Sequence, residues 1–79
     1  MALEKRSALV IAFDSTTDAL AAERELGVRG VAGRIIPLPR EVSAGCGLSW
    51  KAAPDARERV TAVLDEAGIA WAGAYVLTI

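Results

Sequence analysis

Gly33-Arg34-Ile35-Ile36-Pro37-Leu38-Pro39-Arg40 decides the fold. The segment is extended, and its prolines stand two residues apart, so both missing N–H groups fall on one edge of the strand. Such a strand is tolerated only where that edge faces solvent, which makes it an edge strand. On its N-terminal side, Ala8 to Phe13 is a continuous apolar run and reads as a central strand. Between the two, Ser15 opens a helix with Asp18 three residues on, in the pattern of a capping box. Ala19, Ala22 and Leu26 recur at helical spacing, and Gly27 is the expected stop.

On the C-terminal side a short loop leads to Gly47–Lys51, which alternates and reads as a strand. Pro54-Asp55 begins a second helix, with Asp55 and Glu58 as its capping pair. Val60, Val63, Leu64 and Ala67 form its apolar stripe, Gly68 ends it, and Trp71 to Ile79 is the last strand. The order is β-α-β-β-α-β. Two such units with right-handed crossovers give an α+β, ferredoxin-like sandwich, a four-stranded antiparallel sheet with both helices on one face. That topology puts the second strand at an edge, where the prolines also put it. The whole chain, 1–79, reads as a single domain, with residues 1–6 as a loose N-terminal tail.

A chain of 79 residues has room for one core, and it hides only about 60% of its unfolded surface. Much of its apolar content is alanine. The expected core is therefore Leu9, Ile11, Phe13, Leu20, Leu26, Ile36, Leu38, Leu48, Val60, Val63, Leu64, Tyr75 and Leu77.

Nine basic and ten acidic residues give a net charge of −1, without the basic stripe of a nucleic-acid binder. The longest uncharged run, Ala67 to Ile79, is too short to span a membrane, and the first residues lack the order of a signal peptide. A cytoplasmic location and no membrane contact are the expectation. With one cysteine and no histidine, the chain can assemble neither a disulfide, a tetrahedral zinc site nor a Cys–His nucleophile pair. No metal and no cofactor are expected.

Chemistry, if present, centres on Cys46 in Pro39-Arg40-Glu41-Val42-Ser43-Ala44-Gly45-Cys46-Gly47. Pairing Leu38 with Leu48 would put Arg40 directly opposite Cys46, where a guanidinium favours thiolate over thiol. Gly45 and Gly47 expose bare backbone whose N–H groups could hold an anion, and Ser43 could add a hydroxyl donor. Against this, cysteine is often simply a small buried hydrophobe, and alternation gives Cys46 the same face as Leu48 and Trp50. On the residues alone both readings stay open. Ser15-Thr16-Thr17 could bind an anion but is explained by capping. Trp50 and Trp71 read as core or interface aromatics, and Asp55–Arg59 as an exposed helix pair.

Pro39 to Leu48 resembles the signature of the selenium/sulfur (Se/S) carrier protein-like family. Phe13-Asp14-Ser15-Thr16-Thr17-Asp18-Ala19-Leu20-Ala21-Ala22-Glu23 resembles that family's first strand-to-helix junction, and Arg34 to Pro39 its second strand. The similarity covers nearly the whole chain. It implies a carrier without turnover of its own, whose cysteine holds sulfur or selenium as a persulfide or selenopersulfide. It also implies a desulfurase-type donor and an accepting protein as partners, and a domain found alone or joined to a sulfur-relay domain of the TusA type. Cys46 is then the acceptor atom's residue, with Arg40, Ser43, Gly45 and Gly47 as its supporting loop. The alternatives are a protein-interaction or small-ligand regulatory module of the same fold, and a thiol redox factor. Prolines argue against dimerising through the second strand, which leaves the last strand as the freer edge for a homodimer.

Overall fold

The structure, a computed structural model, describes residues 6–42 and 45–79. Its elements are β1 (Ser7–Ala12), α1 (Thr16–Val28), β2 (Arg34–Pro37), β3 (Leu48–Ala52), a 3₁₀ turn at Pro54–Ala56, α2 (Arg57–Glu66) and β4 (Gly73–Thr78). The sheet order is β2-β3-β1-β4, with every neighbouring pair antiparallel. β3 therefore lies between β1 and β2, and β1 between β3 and β4, which is the ferredoxin-like arrangement. β2 is at an edge, as Pro37 requires, and Pro39 falls beyond its end. β1 is central, and Ala8 to Phe13 is buried throughout.

One face of the sheet carries the core. Leu9, Ile11 and Phe13 meet Ala19, Ala22 and Leu26 of α1, Val60, Val63 and Leu64 of α2, and Trp50 and Ala52 of β3. Both helices thus cover the same face. Leu20 was expected in this core but is 52% exposed, because the inward stripe of α1 runs through Ala19, Ala22 and Leu26 and leaves Leu20 beside it. Tyr75 is likewise 39% exposed. Its partner in the register is Val10, which puts it on the sheet face turned away from the helices. Val42, unforeseen as a core residue, is buried outside the helix-side cluster.

The helix starts differ from each other. Ser15 is extended (φ −128°, ψ 134°) and its hydroxyl accepts a bond from the Asp18 N–H at 3.4 Å, as the capping pattern predicts. Ser15→Ala should therefore cost about 0.5–1 kcal/mol, read as a lower urea midpoint at unchanged slope. The expected Asp55–Glu58 cap is absent among the described residues. Pro54 opens a 3₁₀ turn closed by Ala56 N–H to Ala53 O (3.0 Å), so Ala56 becomes the N-cap of α2 without a side-chain bond. Asp55 is held inside that turn. Its supposed partner Arg59 instead donates to the carbonyl of Arg29 at 3.1 Å.

The helix ends agree with each other. α1 runs past Gly27, and the left-handed residue is Gly30 (φ 71°), with Gly30 N–H to Gly27 O (3.1 Å) and Val31 N–H to Leu26 O (2.9 Å). α2 closes identically at Gly68 (φ 69°), with Gly68 N–H to Asp65 O (3.2 Å) and Ile69 N–H to Leu64 O (2.9 Å). Both are Schellman closures. In each, the residue after the glycine, Val31 or Ile69, is buried in the same core cluster as its partner leucine, so the turn also feeds the core. Arg29 braces the two ends, bonding Glu66 at 2.6 Å and lying 3.7 Å from Glu25. These exposed pairs add about 1 kcal/mol at most.

The tail expected over residues 1–6 lies outside the described residues except for Arg6. That residue is not loose: its backbone exchanges hydrogen bonds with Ile79 (3.3 and 3.1 Å), which extends the β1–β4 ladder.

Candidate functional site

The loop between β2 and β3 is fastened to the junction of β1 and α1. Gly45 N–H donates to Asp14 Oδ1 at 3.4 Å, and Cys46 N–H to Phe13 O at 3.5 Å. A side chain at Gly45 would put its Cβ 2.9 Å from the Asp14 carbonyl oxygen, so only glycine permits this approach. Gly47, at φ 74°, then turns the chain into β3.

Cys46 is half-buried between these glycines, with its side chain against the helix-side core. Among the described residues, every polar contact of its sulfur is to backbone. The S–H donates to Phe13 O at 3.0 Å, with Leu48 O a second acceptor at 3.7 Å, and the Leu48 N–H donates to the sulfur at 3.4 Å. Among the described residues, neither a side-chain base nor a side-chain cation takes part.

The expected pairing of Arg40 with Cys46 is corrected by the register. Pro37, not Leu38, faces Leu48, and Leu38 N–H donates to Gly47 O at 2.9 Å. The ladder ends there, and Arg40 and Glu41 form a turn closed by Val42 N–H to Pro39 O (3.1 Å). Arg40 is exposed and, among the described residues, makes no hydrogen bond or ion pair. Ser43 lies outside the described residues. The site residue that sequence reasoning missed is Asp14, whose carboxylate receives the loop. The signal was its place directly after an apolar strand and before a cap, where a side chain can meet whatever crosses the end of the sheet.

The other candidates fall into ordinary roles. Ser15 is spent on its cap. Trp71 Nε1 donates to Asp65 Oδ1 at 3.4 Å and braces α2. Trp50 is a core residue whose buried Nε1 has no hydrogen-bond partner among the described residues. Among the described residues no group of three or more metal-ligating side chains gathers, and no helix is long and apolar enough to cross a membrane.

The residues fastened to each other, Phe13-Asp14 and Gly45-Cys46, lie within stretches that carry the sequence resemblance. The family model described as "Putative Se/S carrier protein-like" matches residues 8–76. This chain belongs to that family. Comparison with curated proteins and with solved structures gave no match. The matched span includes every strand and helix core residue as well as Cys46, so family membership extends over fold and site together.

Proposed function

We propose that this chain carries a sulfur or selenium atom on Cys46, as a persulfide or selenopersulfide, between a donor enzyme and an accepting protein. The observation that carries the reading is a lone, half-exposed sulfur between two glycines, whose polar contacts among the described residues are all to backbone atoms. A carrier needs an accessible sulfur and no machinery for turnover. Family membership supports the same reading.

In loading, the Cys46 thiol gives its proton to water and the thiolate attacks the outer sulfur of a persulfide on the donor. A new S–S bond forms on Cys46, the donor's S–S bond breaks, and the donor cysteine leaves as a thiolate that takes up a proton. Nothing is oxidised or reduced overall. Delivery is the same exchange run with the acceptor's thiolate as nucleophile. Once the S–H proton is gone, the sulfur and the Phe13 carbonyl oxygen repel each other, and the Leu48 N–H remains as the donor. That change favours turning the sulfur towards the open side, where a partner can reach it. A free thiol of this kind suits a reducing compartment such as the cytoplasm.

Incubation with glutathione persulfide, followed by intact-protein mass spectrometry, tests the proposal. The expected result is a mass increment of one sulfur atom, removed by a reducing thiol. An unmodified mass, with the thiol still titratable after denaturation, would favour the interaction-module reading instead. The packing of Cys46 against the core is the observation that speaks for that second reading.

A further inference from the structure

At the other end of β3 from Cys46, a cavity of about 450 Å³ opens beside the ends of β1 and β2. Its walls include Ala8, Ala53 and Ile79, and the charged side chains that line it among the described residues are Arg6, Arg34 and Lys51. The protein as a whole carries nine basic against ten acidic residues, so general basicity does not explain why Arg34 and Lys51 share one cavity wall.

The sheet register makes this placement costly. Arg34 is directly opposite Lys51 on neighbouring strands, and like charges in that position destabilise a sheet. Among the described residues neither side chain has an ion pair or hydrogen bond to offset the repulsion. Ion pairs do form elsewhere, at Arg29, so acids are not lacking on this surface. Two cations without an ion pair among the described residues, facing each other beside the buried Ala8, form a clamp for a negative group, because the low-dielectric wall strengthens their field.

We propose that this cavity binds a small molecule bearing an oxyanion, held by Arg34 and Lys51, independently of the chemistry at Cys46. The guanidinium fork fits either phosphate or carboxylate, and the ammonium adds a point charge. The volume lies within the range of small-molecule sites, and a bare inorganic ion would leave most of it empty. The occupant therefore has an apolar body against Ala8 and Ala53 as well as its anionic head.

The test is an NMR titration of the whole chain with phenyl phosphate, benzoate and phenol, which share one ring and differ in charge. Saturable shifts of the Gly33, Arg34, Ala52 and Ala53 amides are expected with an anion and not with phenol. Which anion binds more tightly identifies the head group. Arg34→Gln and Lys51→Gln should each weaken binding roughly tenfold or more, since each removes a charge-assisted bond. Both variants should unfold at the same temperature as the parent or a higher one, because each relieves the like-charge pair. Absence of saturation with both anions, an equal response to phenol, or undiminished affinity in the two variants would overturn the proposal.

Discussion

Cys46→Ala is expected to abolish persulfide loading completely while lowering stability by only about 1 kcal/mol. The loss of loading is total because the sequence has one cysteine, so no second thiol can accept the sulfur. The stability cost is small because the side chain is half-buried, and its removal forfeits one S–H bond to Phe13 and a modest contact with the core. Cys46→Ser separates the two effects further. It keeps a donor for the Phe13 carbonyl, so stability should stay closer to the parent, yet its hydroxyl cannot hold a transferable sulfur. Intact mass after exposure to a persulfide, with urea unfolding in parallel, reads both quantities. A mass increment surviving in either variant would end the carrier reading. Unfolding of both would instead make Cys46 a structural residue.

Gly33→Ala should be among the most damaging single substitutions outside the large core side chains. A Cβ there would lie 2.6 Å from the Lys51 carbonyl oxygen and 2.6 Å from the Cε2 and Cζ2 atoms of Trp50. Neither neighbour can yield. Lys51 belongs to the β2–β3 ladder, and Trp50 is 2% exposed within the core. The backbone adds strain, since Gly33 has φ 154°, which L-residues rarely adopt. Overpacking and backbone strain each contribute on the order of 1–3 kcal/mol, a large share of the few kcal/mol that hold so small a domain folded. Gly27→Ala is the matched control. It lies inside α1 with nothing within 4 Å of the new methyl, so it should stabilise by about 0.5–1 kcal/mol. Urea midpoints within error of each other for the two variants would refute this account of Gly33.

Much of this molecule was legible in order along the chain. The apolar run Ala8 to Phe13 meant a strand covered on both sides, and the Pro37–Pro39 spacing meant an edge. The Val60-Val63-Leu64 stripe meant one buried helix face. These follow from rules of period and from the N–H that proline lacks, which act within a few residues. The N-cap at Ser15 and the stop at Gly68 were legible for the same reason. The stop at Gly30 was not, because Gly27 is equally permissive. What chose between them was Val31, buried in the core with Leu26, a contact that exists only once the helix is docked.

Cys46 could be singled out from the sequence alone, since a chain without histidine and with one thiol has few other sources of nucleophilic chemistry. Its neighbours could not. A one-residue change of register moved Pro37 opposite Leu48 and left Arg40 in a turn, and period-2 patterning does not resolve such a step near a loop. Tertiary structure alone brought Asp14 to Gly45 and the Phe13 carbonyl to the sulfur, across more than thirty residues of chain. It also set Arg34 against Lys51 at the far end of β3. Local sequence thus determined which segments are strands and helices and which atom can react. The packing of the sheet decided what surrounds that atom, because contacts between distant segments depend on strand order and register, which no short stretch encodes.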